Sequence, residues 1–219
     1  MMRIDFKNRH GLMVAINIAA LILFGLILQI GGAYLVNAAV TVLGGTDAGA
    51  AATEYESFME TVRAMEPRQV IHIVFVAPLV EEIVFRLIFL RAGRMLLPFW
   101  CANIIQAVLF GIYHGVAIQR VYGFAMGLLI GCVFYYCPII YRKYLPKGAL
   151  ADLPNSLFGA ALTFLLHMVI NSSGLFLTPL FSADINVALQ ICLGLILMAS
   201  AVYVCFRLYR ESESIREMP

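Results

Sequence analysis

A chain of 219 residues that is 62% apolar and only 13% charged departs far from the balance of a soluble domain, and a formal charge of +2 is too small to mark a nucleic-acid partner. The five cysteines, Cys101, Cys132, Cys137, Cys192 and Cys205, form no Cys-x-x-Cys pair and lie in or beside apolar stretches, which fits buried free thiols rather than a disulfide or metal framework. The composition is that of a polytopic membrane protein, all-α, with lipids as its surroundings.

The first apolar stretch, Leu12 to Leu43, follows the basic segment Arg3 to Arg9 and is too long for a signal peptide, so it reads as an uncleaved transmembrane helix. From Gly44 to Pro67 the chain turns small, polar and acidic, with Tyr55, Phe58, Val62 and Met65 at helical spacing among Glu54, Glu56, Glu60 and Arg63. That pattern predicts an amphipathic helix on the membrane surface, read here as a connector. A second span follows at Gln69–Leu90, with Pro78 inside it as a source of a kink. The third is placed at Phe99–His114, the fourth at Tyr122–Tyr141, the fifth at Ser156–Asn171 and the sixth at Ile185–Phe206. Spans three and five, at about 16 residues, are near the lower limit for crossing a bilayer. The expected architecture is a single transmembrane domain over 1–219, a bundle of about six helices around a buried polar site.

Charge placement orients the bundle. With the amino terminus inside, eleven basic residues fall on the cytoplasmic side: Arg3, Lys7, Arg9, Arg91, Arg94, Arg142, Lys143, Lys147, Arg207, Arg210 and Arg216. Three, Arg63, Arg68 and Arg120, fall on the other side, so both termini are expected in the cytoplasm.

The second span holds Glu81, Glu82 and Arg86 in an otherwise apolar run, and each ionisable group at mid-bilayer costs at least about 2.5–3.5 kcal/mol. Glu82 and Arg86 stand four apart and are expected to pair, a structural role. Glu81 is rotated about 100° from Glu82 on an α-helix and needs partners from elsewhere. The groups on offer are His114, four residues after Phe110, and His167, four residues before Asn171. Asn103 and Gln106 read as interhelical hydrogen-bonding groups, and His72 falls on the far side of its helix from Glu81.

Glu-Glu-x-x-x-Arg, then Phe-x-x-x-His, then His-x-x-x-Asn, on successive apolar segments, resembles the CAAX-processing and bacteriocin-processing family of intramembrane proteases, also called CPBP or Abi. The resemblance runs from about Ala77 to Asn171, within a protease-like core of about 69–175. It implies an intramembrane endopeptidase that hydrolyses a peptide bond in a membrane-associated peptide or protein, with Glu81, His114, His167 and Asn171 catalytic and Glu82, Arg86 and Phe110 in support. Glu81, in a low-dielectric setting, suits general acid or base work on a water shared with His114, while His167 and Asn171 present an imidazole and an amide to the oxyanion. No cofactor is required in that mechanism. The alternative is a metalloprotease with zinc or another divalent ion on Glu81, His114 and His167. Outside the enzyme reading stand a proton-coupled carrier and an inactive family member serving as an immunity or scaffold protein. The small size suggests a bacterial plasma-membrane protein, with the substrate and oligomeric state left open.

Overall fold

The computed structural model describes residues 6–44, 49–144, 153–176 and 185–217, with the side chains of 6–14, 143 and 144 excepted. Among them Lys7, Arg9, His10 and Lys143 therefore have no described side chain, and Arg3 and Lys147 lie outside the described residues. Those residues form seven helices and no strand. They are α1 (Phe6–Leu43), α2 (Gly49–Arg63), α3 (67–96), α4 (Phe99–Tyr113), α5 (Ala117–Tyr144), α6 (Asn155–Phe176) and α7 (Val187–Arg216). Four of them, α1, α5, α6 and α7, are long and apolar enough to cross a membrane. The chain is an integral membrane helix bundle with a buried polar centre. A coat of exposed apolar side chains, such as Leu23, Ile104, Ile105, Leu195, Ile196 and Val202, marks the lipid face.

Helix α5 is the centre of the packing: 67% of its most apolar window is buried, against 33% in α1 and α6 and 17% in α7. Met126, Ile130, Val133, Phe134 and Tyr136 of α5 meet Phe24 and Leu28 of α1, Phe99 of α4, Leu166 of α6 and Ala201 of α7. Close approach of α4 and α5 rests on Gly123, Gly127 and Gly131, a small residue at every fourth position. A Cβ at Gly131 would lie 1.9 Å from Asn103 Oδ1. That proximity lets the wholly buried amides of Asn103 and Gln106 donate to the Leu128 and Gly127 carbonyls at 3.0 and 2.9 Å, as interhelical bonds.

Helix α3 starts on a capping box, with Glu66 and Gln69 reciprocally bonded and Pro67 in the first turn. It ends where Leu97, forced into an extended conformation (φ −131°, ψ 154°) by the following Pro98, cannot continue it. Between these ends it is not a plain α-helix. Two π-helical stretches, His72–Val76 and Glu82–Leu90, interrupt it on either side of the α-turn Ala77–Glu81. The longer one buries Glu82, Phe85, Arg86 and Leu90, a four-residue recurrence that suits the wider π turn.

Two expectations are corrected. The fifth span is not short: α6 runs 22 residues to Phe176. Ser172 and Ser173, beyond the expected end at Asn171, stay helical, with their hydroxyls donating to the Met168 and Val169 carbonyls at 2.7 Å. All five cysteines are free, but Cys101 and Cys192 lie on the outer surface rather than in the core.

Candidate active site

The doublet on α3 sits where its second π stretch begins. Glu81 is 8% exposed, Glu82 1% and Arg86 0%, so both carboxylates point inward, and Glu81 is not turned away from its neighbour as an α-helical count implies. Arg86 stands 3.3 Å from Glu82 (Nε to Oε2), a charge pair whose angle falls short of a hydrogen bond. Its guanidinium lies 4.7 Å from the centroid of the Phe110 ring.

His167, 5% exposed on α6, links the two acids: Nδ1 is 3.0 Å from Glu82 Oε1 and Nε2 3.4 Å from Glu81 Oε2. Glu82 is already the partner of Arg86, so it is the acceptor for Nδ1–H, and the other ring nitrogen faces Glu81. Two carboxylates and one guanidinium leave one negative charge in a low-dielectric setting. Phe110, 2% exposed, stacks edge-on to Phe85, His114 and His167 at centroid distances of 5.1, 4.9 and 5.9 Å and is the packing hub of the site.

His114 terminates α4 in an extended conformation, and its Nδ1 lies 2.8 Å from the Phe110 carbonyl. A carbonyl only accepts, so Nδ1 carries the proton and Nε2 of the neutral ring is bare. The turn is fastened by Arg120, which donates to the His114 and Gly115 carbonyls at 2.9 and 2.8 Å. The ring fits because position 123 is glycine, where a Cβ would stand 3.1 Å from Nδ1. Arg120 read in the sequence only as an outer-side charge; its spacing of six from His114 carries no recognised signal.

Asn171 meets α3 rather than the acids. It donates to the Ile73 carbonyl at 2.9 Å. Pro78 explains that bond, because the π-helical partner of Ile73, five residues on, is a proline with no N–H, while Ala77 N–H is taken by His72. The sequence pointed to Pro78 as a kink; the structure has a freed carbonyl that Asn171 answers.

Glu81, His114, His167 and Asn171 line one cavity of about 450 Å³, with Glu82, Arg86 and Phe110 behind it. Its opposite wall is α2: Tyr55, Phe58, Met59 and Val62 face the same space. Glu54 ties α2 to the start of α5 by accepting from Ala117 N–H at 3.2 Å. The amphipathic helix is thus part of the cavity and not a bare surface connector; burial pushes the Tyr55 phenol above its usual range, partly offset by Arg63. His72 is exposed and takes no part. Among the described residues no group of three His, Cys, Asp or Glu side chains has an arrangement that could hold a metal ion, Glu81, His114 and His167 included.

No curated protein and no solved structure gives a match. Residues 64–171, from the end of α2 through Asn171, match the family model of the type II CAAX prenyl endopeptidase Rce1-like proteins. With the acid, histidine and asparagine motifs in order inside that span and a bundle of apolar helices around them, residues 64–171 form a core similar to the Rce1-like CAAX-type proteases.

Proposed function

We propose that the chain hydrolyses a peptide bond in a membrane-anchored peptide or protein, using a water activated by Glu81 without a metal. The observation that carries this reading is the His167 ring bridging Glu81 and Glu82 at the wall of a cavity that His114 and Asn171 also line. Glu81 takes a proton from the water while the bare Nε2 of His114 accepts its other hydrogen. The oxygen bonds to the scissile carbonyl carbon, and the carbonyl electrons move onto the oxyanion. Asn171 gives one amide hydrogen to Ile73 and keeps the second for that oxyanion. The carbon–nitrogen bond then breaks, and the leaving amine takes the proton from Glu81. His167, oriented by Glu82, holds Glu81 in place through the cycle. The apolar side chains of α2 and α1 around the cavity favour substrates with apolar groups beside the cleaved bond.

The test is cleavage of a library of membrane-tethered peptides by wild type, Glu81→Gln and His167→Ala. Wild type cleaves; each variant is expected to lose about 10²–10⁴-fold in rate, and 1,10-phenanthroline leaves the wild-type rate unchanged. Normal cleavage by both variants overturns the site. Proton-driven flux in liposomes without any cleavage would establish a carrier instead.

A further inference from the structure

The end of the bundle opposite the Glu81 cavity, where α3, α5 and α7 finish and α4 and α6 begin, holds a second cavity of about 420 Å³. Arg91, Arg94, Tyr135, Asn155, Ser156 and Arg216 line it. Arg94 and Arg216 come from helices more than a hundred residues apart, yet both donate to the Tyr135 hydroxyl, at 3.1 and 3.0 Å. Their guanidinium carbons stand 5.1 and 5.4 Å from the centroid of the same ring. Glu213 pairs with Arg216 at 2.8 Å. Arg142 adds a further cation next door, donating to the Leu153 carbonyl just before α6. Guanidiniums gathered this closely repel one another unless an anion sits among them. The first turn of the 22-residue α6, at Asn155 and Ser156, adds backbone N–H groups and the positive end of the helix dipole.

We propose that this cavity binds the phosphate of an anionic phospholipid headgroup. Planar guanidiniums on a shared aromatic ring match phosphate oxygens in geometry as well as charge. Two neighbouring features favour a lipid over a free anion. Trp100, Tyr135 and Tyr209, none of them buried, surround the core rings Phe99 and Tyr136 at this end, as aromatic side chains at headgroup level do. Met95 and Leu96, directly after Arg94, are 82% and 86% exposed, and with the half-exposed Trp100 they offer an apolar surface for the acyl chains of a lipid held by its headgroup.

The test uses the full-length protein purified in neutral detergent, with dioctanoyl phosphatidylglycerol, dioctanoyl phosphatidylcholine and inorganic phosphate as separate probes. Phosphatidylglycerol is expected to bind at least tenfold more tightly than phosphatidylcholine and to weaken as salt rises. Arg94→Gln with Arg216→Gln should lose at least tenfold in that affinity. Because this pair also braces Tyr135, the exposed Arg91 supplies a second variant: Arg91→Glu should lose a similar factor with unchanged thermal unfolding, while Arg68→Gln, at the far end of α3, should lose none. Equal affinity for the two lipids, or full binding by a folded Arg91→Glu, overturns the site. Inorganic phosphate binding as tightly as phosphatidylglycerol overturns the lipid assignment.

Discussion

Glu81 and Glu82 are neighbours of one chemical type, yet their contacts assign them different work. Glu82 is enclosed, with Arg86 on one oxygen and His167 on the other, whereas Glu81 borders the cavity and touches the cluster through one imidazole nitrogen. Glu82→Gln leaves the guanidinium of Arg86 buried without its counter-charge. Breaking a buried pair from one side costs about 3–5 kcal/mol, so its thermal unfolding in detergent should fall well below wild type. Glu81→Gln keeps a polar side chain opposite His167 and should unfold near the wild-type temperature while losing cleavage. Unfolding of both variants at one temperature would contradict the division. The sequence placed the ion pair between Glu82 and Arg86 and the need of Glu81 for outside partners. That a single histidine meets both acids was not legible, because it depends on the packing of α6 against α3 and not on any local pattern.

At the scale of the helix, Pro78 and Asn171 form one device across ninety-odd residues of chain. Pro78 leaves the Ile73 carbonyl without a donor, and Asn171 supplies one, fixing α6 against the first π stretch of α3. Asn171→Ala should therefore cost about 1–3 kcal/mol, the desolvation penalty of a buried acceptor left unpaired. Pro78→Ala restores an N–H at the right position. The double variant Pro78→Ala with Asn171→Ala should recover part of the stability lost by Asn171→Ala alone, a coupling that a double-mutant cycle measures. Additive losses would mean that the two residues act separately. The proline and the asparagine are both plain in the sequence, but their relation is a contact between distant elements. The same holds for Gly123, Gly127 and Gly131, whose spacing acquires a meaning only beside His114, Ala107 and Asn103. Gly131→Ala, driving a methyl into Asn103 Oδ1, is expected to cost about 1–3 kcal/mol as overpacking; unaltered unfolding would show that the helices separate without strain.

Across the whole molecule the polar groups divide between the two ends of the bundle. The Glu81 cavity, roofed by α2, lies where α4 ends at His114 and α5 begins; Arg91, Arg94, Arg142 and Arg216 gather at the other end. Long helices hold the ends apart: α1 alone, at 38 residues, spans about 57 Å at 1.5 Å per residue, well beyond a hydrocarbon core of about 30 Å. The sequence recovered this polarity because the positive charges bias the loops and not the core, so counting them needs no tertiary structure. It did not favour α2 as a cavity wall over a plain connector, since an apolar stripe on a short helix fits a membrane surface and a protein groove equally well. The charge bias predicts that the arginine-rich end faces the cytoplasm and the cavity opens on the opposite side. With the five native cysteines replaced, Arg68→Cys at the start of α3 should react with a membrane-impermeant maleimide on intact cells. Ser214→Cys near the end of α7 should react only after permeabilisation. The reverse labelling pattern would place the cavity on the cytoplasmic side and its substrates with it, and the eleven-to-three excess of basic residues would then have to be explained by the headgroup contacts of the arginine end alone.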